Sequence, residues 1–168
     1  KGCVETATAT GVEDPNLTPV INGPIDLCQG EDTLLISNYK AVDGYDFAWS
    51  FGAAPTGDVT ESIRVSAAGT YGVWVSKGNC QGGTTVEVIV NALPTVTVPD
   101  LAICDQDPAA TFTATSATAT SYVWSENGTG TNPTTSGSTA GNYTVVVLDG
   151  NGCTATATGV LTVNALPT

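Results

Sequence analysis

The amino-acid sequence predicts an all-β chain folded as two tandem antiparallel β-sandwiches. Its landmarks repeat at nearly one spacing, because Trp49 and Trp124 are 75 residues apart and Cys80 and Cys153 are 73 apart. Short segments rich in Thr and Val alternate apolar with polar residues, which is the period of a strand with one buried face. Nowhere do apolar residues recur at helical spacing over ten or more residues. We therefore expect almost no helix and about seven short strands in each repeat.

The end of each repeat is marked by one pentapeptide, Asn-Ala-Leu-Pro-Thr, at residues 91–95 and 164–168. Its Leu-Pro step ends a strand, because proline lacks the N–H of a ladder hydrogen bond and holds the preceding residue extended. We interpret the pentapeptide as a short linker. The predicted domains are 20–94 and 95–168.

Residues 1–19 fall outside these two repeats. Residues 2–12 match residues 152–160, the last predicted strand of the second repeat, and residues 16–19 then occupy the position of a linker. The simplest interpretation is that 1–19 are the final strand and linker of a preceding repeat in a longer array. The alternative is that this strand completes the sheet of another molecule by strand addition.

In the first repeat, Tyr45, Phe47, Trp49 and Phe51 alternate with polar or small residues. This pattern predicts a half-buried strand with an aromatic inner face. A Lys-Gly-Asn turn joins the last two strands into a hairpin, because glycine supplies the positive φ that tight turns require. The predicted strands are 33–37, 45–51, 62–66, 70–76 and 84–90.

The second repeat follows the same order. Its predicted strands are 111–115, 121–125, 143–148 and 154–163, and the turn 149–152 contains two glycines. Its middle segment, 126–138, is nearly all Gly, Thr, Ser and Asn. That composition is typical of a loop, so we expect a poorly ordered segment with at most one short edge strand.

Two aromatic landmarks recur inside the predicted sandwiches. Trp49 and Trp124 fall in the third strand, and Tyr71 and Tyr143 open the sixth after Gly-x. The tyrosine placement is typical of the tyrosine corner of immunoglobulin-like domains, in which the ring is buried and the hydroxyl bonds the upstream backbone. Both repeats have valine two residues later, where antibody domains carry a core cysteine. We therefore expect no disulfide across the core.

Five cysteines without a CxxC pair, in a chain with no His, favour disulfides over zinc and indicate an oxidising, extracytoplasmic location. We expect pairing within each repeat, Cys28 with Cys80 and Cys104 with Cys153, which leaves Cys3 unpaired. Each bond would close a loop of about 50 residues and contribute about 4 kcal/mol in the chain-entropy model. The alternative pairs Cys3 with Cys28 and Cys80 with Cys104, and leaves Cys153 for the next repeat.

The balance of 4 Lys and Arg against 16 Asp and Glu gives a formal charge of −12, which repels phosphate backbones and anionic membranes. The apolar runs have the length of strands, far below the ~20 residues of a membrane span. We expect no nucleic-acid partner and no membrane insertion. The expected partners are neighbouring repeats of the same chain, and extracellular polysaccharide or other surface proteins.

An enzymatic function is not expected. Without His, neither a Ser-His nor a Cys-His nucleophile can be built, and we interpret the acidic pairs as solvated loop residues. No organic cofactor is implied. Calcium is a candidate, because Asp100, Asp105 and Asp107 follow the linker and supply oxygen ligands, although EF-hand spacing is absent.

Trp74 is the candidate surface contact. It lies in the sixth strand between Val73 and Val75, so alternation places its side chain on the outer face of the sheet. An exposed Trp there would mark a contact for a sugar or a protein. The alternative is that a loop or the neighbouring repeat covers it.

Several short motifs give the chain a family resemblance. The chain resembles the PKD-like and immunoglobulin-like tandem repeats of very large Bacteroidota surface proteins, including SprB-type gliding adhesins. The motifs are Leu-Cys-Gln-Gly at 27–30, Tyr-Asp-Phe-Ala-Trp-Ser-Phe-Gly at 45–52, Ala-Gly-Thr-Tyr at 68–71, Asn-Gly-Cys at 151–153, and Val-Asn-Ala-Leu-Pro-Thr at 163–168. The second repeat departs from the pattern at 125–127.

The resemblance implies a structural repeat region of a secreted or cell-surface adhesin or filament, acting as a stalk or spacer. It further implies type IX secretion and gliding motility. The alternative is a polysaccharide- or protein-binding Ig-like module, or an appendage of a secreted hydrolase. The sequence also offers candidate glycosylation sites: Asn16, Asn127 and Asn142 fit the N-glycosylation pattern, and Thr33 lies in a motif like the Bacteroidota O-glycosylation sequon.

Overall fold

The computed structural model describes residues 16–166, so Cys3 and most of the predicted segment 1–19 lie outside the described residues. The chain divides into two compact units, Lys1–Val90 and Asn91–Thr168. This division falls four residues before the predicted boundary at 94/95. Each unit is a β-sandwich of its own, and within 16–166 the one helical element is a 3-10 turn at Ala41–Asp43.

The first unit contains two sheets. Its strands are β1 (Ile21–Asn22), β2 (Asp26–Cys28), β3 (Thr33–Ser37), β4 (Asp46–Phe51), β5 (Ala54–Pro55), β6 (Ser62–Val65), β7 (Gly69–Lys77) and β8 (Cys80–Asn91). One sheet has the order β1-β3-β6, and the other has the order β2-β8-β7-β4-β5. The predicted strand 33–37 coincides with β3, and β7 and β8 form the predicted hairpin, with Gly78 at φ 62° in its turn.

The second unit also contains two sheets. Its strands are β9 (Leu101–Cys104), β10 (Ala110–Thr113), β11 (Ala119–Glu126), β12 (Thr134–Gly137), β13 (Gly141–Asp149) and β14 (Thr154–Asn164). A two-stranded sheet pairs β10 with β12, and a four-stranded sheet has the order β11-β13-β14-β9. The Gly- and Thr-rich segment thus contributes one short strand, β12. The β14–β9 pair is parallel and the other pairs of this unit are antiparallel.

Each unit buries its tryptophan in its own core. Trp49 is 1% exposed and Trp124 is 5% exposed, and each indole N–H donates to a loop carbonyl, Thr60 O at 2.8 Å and Asn132 O at 2.9 Å. A buried indole requires such a partner, because an unpaired N–H in the core would cost free energy. The same solution appears in both units, which supports the repeat alignment from sequence.

The tyrosine corner is confirmed in both units. The hydroxyl of Tyr71 donates to Ala67 O at 3.1 Å, and that of Tyr143 donates to Thr139 O at 3.0 Å, four residues upstream in each case. Val73 and Val145, at the positions of the absent core cysteines, are buried. The sandwich is therefore closed by apolar packing at its centre.

Two local expectations are corrected. Phe51 is 42% exposed instead of facing inward, because it lies at the end of β4 against Tyr71 and over Gly69, whose Cα leaves room for the ring. Residues 16–19 were expected as a linker, but Leu17 is buried in the first core and its N–H donates to Gln81 O at 3.0 Å. Leu17 is thus a part of the first sandwich.

Candidate functional site

The outer face of the five-stranded sheet carries the exposed tryptophan that alternation predicts. Trp74 in β7 is 49% exposed. Its register partners are Ala48 on β4 and Gly83 on β8, so a small residue lies on either side of the indole. A Cβ atom at residue 83 would come within 2.4 Å of Trp74 Cε3, which places the ring directly over Gly83. Among the described residues, no loop covers the Trp74 side chain.

The next row of the same face forms an open trough beside the indole. Gly72 is in register with Ser50 on β4 and Thr85 on β8, so two hydroxyl-bearing side chains flank a position without a side chain. The trough has a volume of about 420 Å³. No charged residue is among its lining residues, which are Ser50, Gly72, Val73, Trp74, Gly83, Thr84 and Thr85. Sequence reasoning found Trp74 and missed the rest.

One signal for the missing residues was Gly72, which lies inside the predicted strand 70–76, whereas Gly82 and Gly83 precede the predicted strand 84–90 and lie inside the observed β8. A glycine in a strand interior weakens the strand and marks a site where a ligand or another backbone approaches closely. Gly82 fits the second case, because Leu17 O would lie 1.9 Å from a Cβ there. Gly72 has no backbone crossing over it at comparable distance; its nearest neighbours are side chains of Ser50 and Thr85.

The cysteines do not pair as predicted. Cys28, Cys80 and Cys153 take part in disulfide bonds, whereas Cys104 is free and exposed. The prediction of a Cys104–Cys153 bond is therefore wrong. In the parallel β14–β9 pair, the register partner of Cys104 is Asn164. Eleven positions along β14 separate Asn164 from Cys153, about 36 Å in an extended strand.

The Cys28–Cys80 pair is excluded by the same kind of argument. Ile89 N on β8 donates to Ile25 O at 2.7 Å, just before β2. Cys28 is three residues from Ile25 and Cys80 is nine residues from Ile89, so at least six positions, about 20 Å, separate the two along the sheet. A disulfide requires Cα atoms about 4.4 to 6.8 Å apart. The free Cys104 also excludes the alternative Cys80–Cys104 bond.

Cys28 and Cys104, which end β2 and β9, begin the same type of turn in the two units. The N–H of Cys28 donates to Glu31 Oε2 at 2.9 Å, and that of Cys104 donates to Asp107 Oδ2 at 2.6 Å. In each case the acidic residue returns the contact, because its N–H donates to the cysteine carbonyl at 3.0 Å. The turn is the same, yet one sulfur is bonded and the other is free.

The calcium candidates are not gathered into a site. Asp100 Oδ1 accepts a hydrogen bond from Val160 N at 2.8 Å, and Asp107 Oδ2 accepts one from Cys104 N at 2.6 Å. Asp105 donates its N–H to Asn164 O at 2.7 Å. Between residues 16 and 166 no three acidic or cysteine side chains form a group that could hold a metal ion. The carboxylates of Asp100 and Asp107 each accept a hydrogen bond from a backbone N–H.

The candidate glycosylation sites differ in access. Thr33 is 8% exposed within β3, so a glycan could be attached only before this strand packs. Asn127 and Asn142 are exposed, although Asn127 Nδ2 donates to Asn142 O at 3.1 Å. Asn16 is exposed and forms an isolated bridge to Gln81. Modification of these residues stays a prediction.

Cations are few, and the described ones have acidic, carbonyl or aromatic partners. Arg64 forms an ion pair with Asp32 at 2.8 Å, and Lys40 lies 3.6 Å from Glu61. Lys77 donates to Asp43 O and lies over the Tyr45 ring at 4.7 Å. These pairs leave the surface strongly acidic, which is unfavourable for binding a polyanion.

Solved structures similar to the chain are tandems of immunoglobulin-like domains. Three N-terminal domains of the highly immunogenic outer capsid protein of bacteriophage RB49 align with a TM-score of 0.50 and 17% identity, over 87% of this chain and 59% of that chain. This likeness, together with the antiparallel sheets described above, shows the fold: the chain is a tandem of immunoglobulin-like β-sandwiches. The chain spans less than two thirds of that structure.

Two further structures are similar at lower scores. The N-terminal eight Ig domains of Down Syndrome Cell Adhesion Molecule align with a TM-score of 0.44 and 13% identity, over 89% of this chain and 24% of that chain. The ectodomain of mouse nectin-like molecule 4 aligns with a TM-score of 0.38 and 14% identity, over 89% and 65%. No family model and no curated protein matches the chain. Among the described residues, no helix has the length and apolar character to cross a membrane.

Proposed function

We propose that this chain is part of the structural repeat region of a secreted or cell-surface adhesin or filament, where it acts as a stalk or spacer. One observation carries the proposal: the chain contains two sandwiches, each with a separate hydrophobic core built on the same Trp and Tyr landmarks. Units of this kind add length to a protein without requiring new interactions at each step, which is the property a spacer needs.

The chemistry of the surface and of the sulfurs supports an extracellular location. Three of the cysteines between residues 16 and 166 are in disulfide bonds, which persist in oxidising compartments and are rare in the cytosol. The formal charge of −12 keeps such chains soluble and apart from one another. A non-catalytic role is supported by the absence of His and by acidic residues engaged in ion pairs and turn hydrogen bonds, such as Asp32 and Glu31.

The finer assignment, to SprB-type gliding adhesins of Bacteroidota exported by the type IX route, is supported by the sequence resemblance alone. In that setting the partners are neighbouring repeats of the same chain. A second candidate function, binding of extracellular polysaccharide by the first unit, is favoured by the open trough beside Trp74. The two functions are compatible, because a spacer unit can carry a binding site on its outer face.

Single-molecule force spectroscopy tests the spacer proposal. The chain is held between two handles and stretched under oxidising and then reducing conditions. After reduction we expect two separate unfolding events, each releasing about 75 residues, or roughly 250 Å of chain. The physical reason is that each core must be broken independently before its strands can extend.

The control for this experiment is a variant in which the hydrophobic core of one unit is disrupted. In Trp49→Ala, one of the two unfolding events should disappear or move to low force, and the other should keep its force. A single cooperative event in the unaltered chain would contradict the proposal, because it would show one mechanical unit instead of two.

A further inference from the structure

The outer faces of the two units differ at the positions that form the trough. Repeat alignment places Thr144 at the position of Gly72 and Val146 at that of Trp74. Thr144 fills its position and is bonded on both sides: its Oγ1 lies 2.8 Å from Thr158 Oγ1 and donates to Glu126 Oε2 at 2.8 Å. The second unit thus shows how this sheet face is completed when it is closed.

In the first unit, two differences from the second unit leave the same sheet face open. Gly72 removes the central side chain, and a Cβ there would lie 2.8 Å from Ser50 Oγ and 3.3 Å from Thr85 Cγ2. Gly83, paired with Trp74 where the second unit pairs Val146 with Thr156, lets the indole lie across β8. Two glycines in strand interiors disfavour the sheet, because glycine loses more conformational freedom on folding than other residues and has no side chain to pack. The scaffold does not require them, since the second unit folds without them.

We propose, on the basis of the second candidate function above, that this trough binds a neutral polysaccharide, with a pyranose ring stacked on Trp74. The face of an indole carries negative electrostatic potential, which attracts the polarised C–H groups on one face of a sugar ring. Ser50 and Thr85 supply hydroxyls that both donate and accept hydrogen bonds, as sugar hydroxyls require, and the backbone carbonyl oxygen of Thr84 lies beside Gly72. The volume of about 420 Å³ lies within the range of ordinary ligand sites.

The surroundings of the trough exclude other classes of ligand. An anionic polysaccharide finds no cation among the lining residues and meets a chain of charge −12. A protein partner needs about 800 Å² of surface on each side, with an apolar centre. Here the one exposed large apolar side chain lining the trough is Trp74. A single indole bordered by hydroxyls and glycines matches a sugar better than a protein.

Affinity electrophoresis of the full chain tests the proposal. The chain is run in native gels that contain laminarin, mannan, xylan or hydroxyethylcellulose, with alginate as the anionic comparison. We expect retardation by at least one neutral polysaccharide and none by alginate. Binding should also change tryptophan fluorescence, and Trp74 is the exposed reporter because Trp49 and Trp124 are buried.

Two variants replace a trough residue of the first unit by the equivalent residue of the second unit. Trp74→Val and Gly72→Thr should each weaken binding by tenfold or more, and circular dichroism should show an intact fold because the second unit carries these residues in the same sheet. Val146→Ala is the matched control and should bind as the unaltered chain does. Lack of retardation by every neutral polysaccharide, or undiminished binding by Trp74→Val, would overturn the proposal. Neither result bears on the two-event unfolding expected of a spacer.

Discussion

The two units agree in the interior of the sandwich and differ at its surface and edges. Both bury a tryptophan whose N–H reaches a loop carbonyl, and both close the tyrosine corner over four residues. They differ in the state of the equivalent cysteines Cys28 and Cys104, in the hairpin turn, and in the outer sheet face. The interior is constrained by packing, since each buried side chain touches many others. The outer positions are free to acquire a separate role.

The largest expected effect tests the equivalence of the two interiors. Trp49→Ala and Trp124→Ala, as separate variants, should each destabilise their own unit by about 3 to 5 kcal/mol, because each removes a large buried side chain and leaves a cavity. Hydrogen exchange with mass spectrometry in increasing urea resolves the two units. The unaltered unit should keep its protection in each variant.

The control for these variants is Trp74→Ala, which removes an exposed indole and should change stability by less than about 0.5 kcal/mol. Loss of protection in both units after a single core substitution would show that they unfold as one. It would then be wrong to treat the repeats as independent sandwiches.

The sequence predicted those features that depend on local alternation. The burial of Trp49 and the exposure of Trp74 both follow from period two along a strand, and both are confirmed. The disulfide pairing failed because sequence spacing does not show which end of a long strand a neighbour contacts. The register partner of Cys104 lies at one end of β14, and Cys153 lies next to the other end. The trough was missed for the same reason, because only the register of three strands brings Ser50, Gly72 and Thr85 into one row.

The next effect separates the two equivalent cysteines. Cys28→Ser removes a disulfide, and loss of a native disulfide typically costs about 2 to 5 kcal/mol in a small domain. Cys104→Ser changes an exposed free thiol and should alter stability by less than about 0.5 kcal/mol. Urea unfolding under oxidising conditions measures both. The turn hydrogen bonds at the two positions match, so the comparison isolates the sulfur.

Labelling with iodoacetamide before unfolding provides the control for this pair. The native chain should be alkylated at Cys104, and Cys28, Cys80 and Cys153 should react only after reduction. If Cys104→Ser and Cys28→Ser lowered stability equally, the assignment of a free thiol to Cys104 would be wrong.

The smallest effect distinguishes the two hairpin turns. In the second unit, Asp149 is 7% exposed and its Oδ1 accepts hydrogen bonds from Asn151 N and Cys153 N, both at 2.9 Å. Asp149→Ala leaves two N–H groups without that acceptor and should cost about 1.5 to 3 kcal/mol. In the first unit, the turn closes between Lys77 and Cys80 with Gly78 at positive φ, and Lys77, whose ammonium group cannot accept a hydrogen bond, stands at the position of Asp149.

The matched variants are therefore Asp149→Asn and Lys77→Ala. Asn keeps one carbonyl oxygen at the turn and should restore part of the loss, whereas Lys77→Ala removes an exposed cation above Tyr45 and should cost less than about 1 kcal/mol. Urea midpoints of the two units, followed by hydrogen exchange, measure each change. Equal losses at both turns would mean that the strands hold the hairpins and the turns contribute little. An unequal loss shows that the longer turn depends on its buried carboxylate, while the shorter one depends on the backbone freedom of glycine.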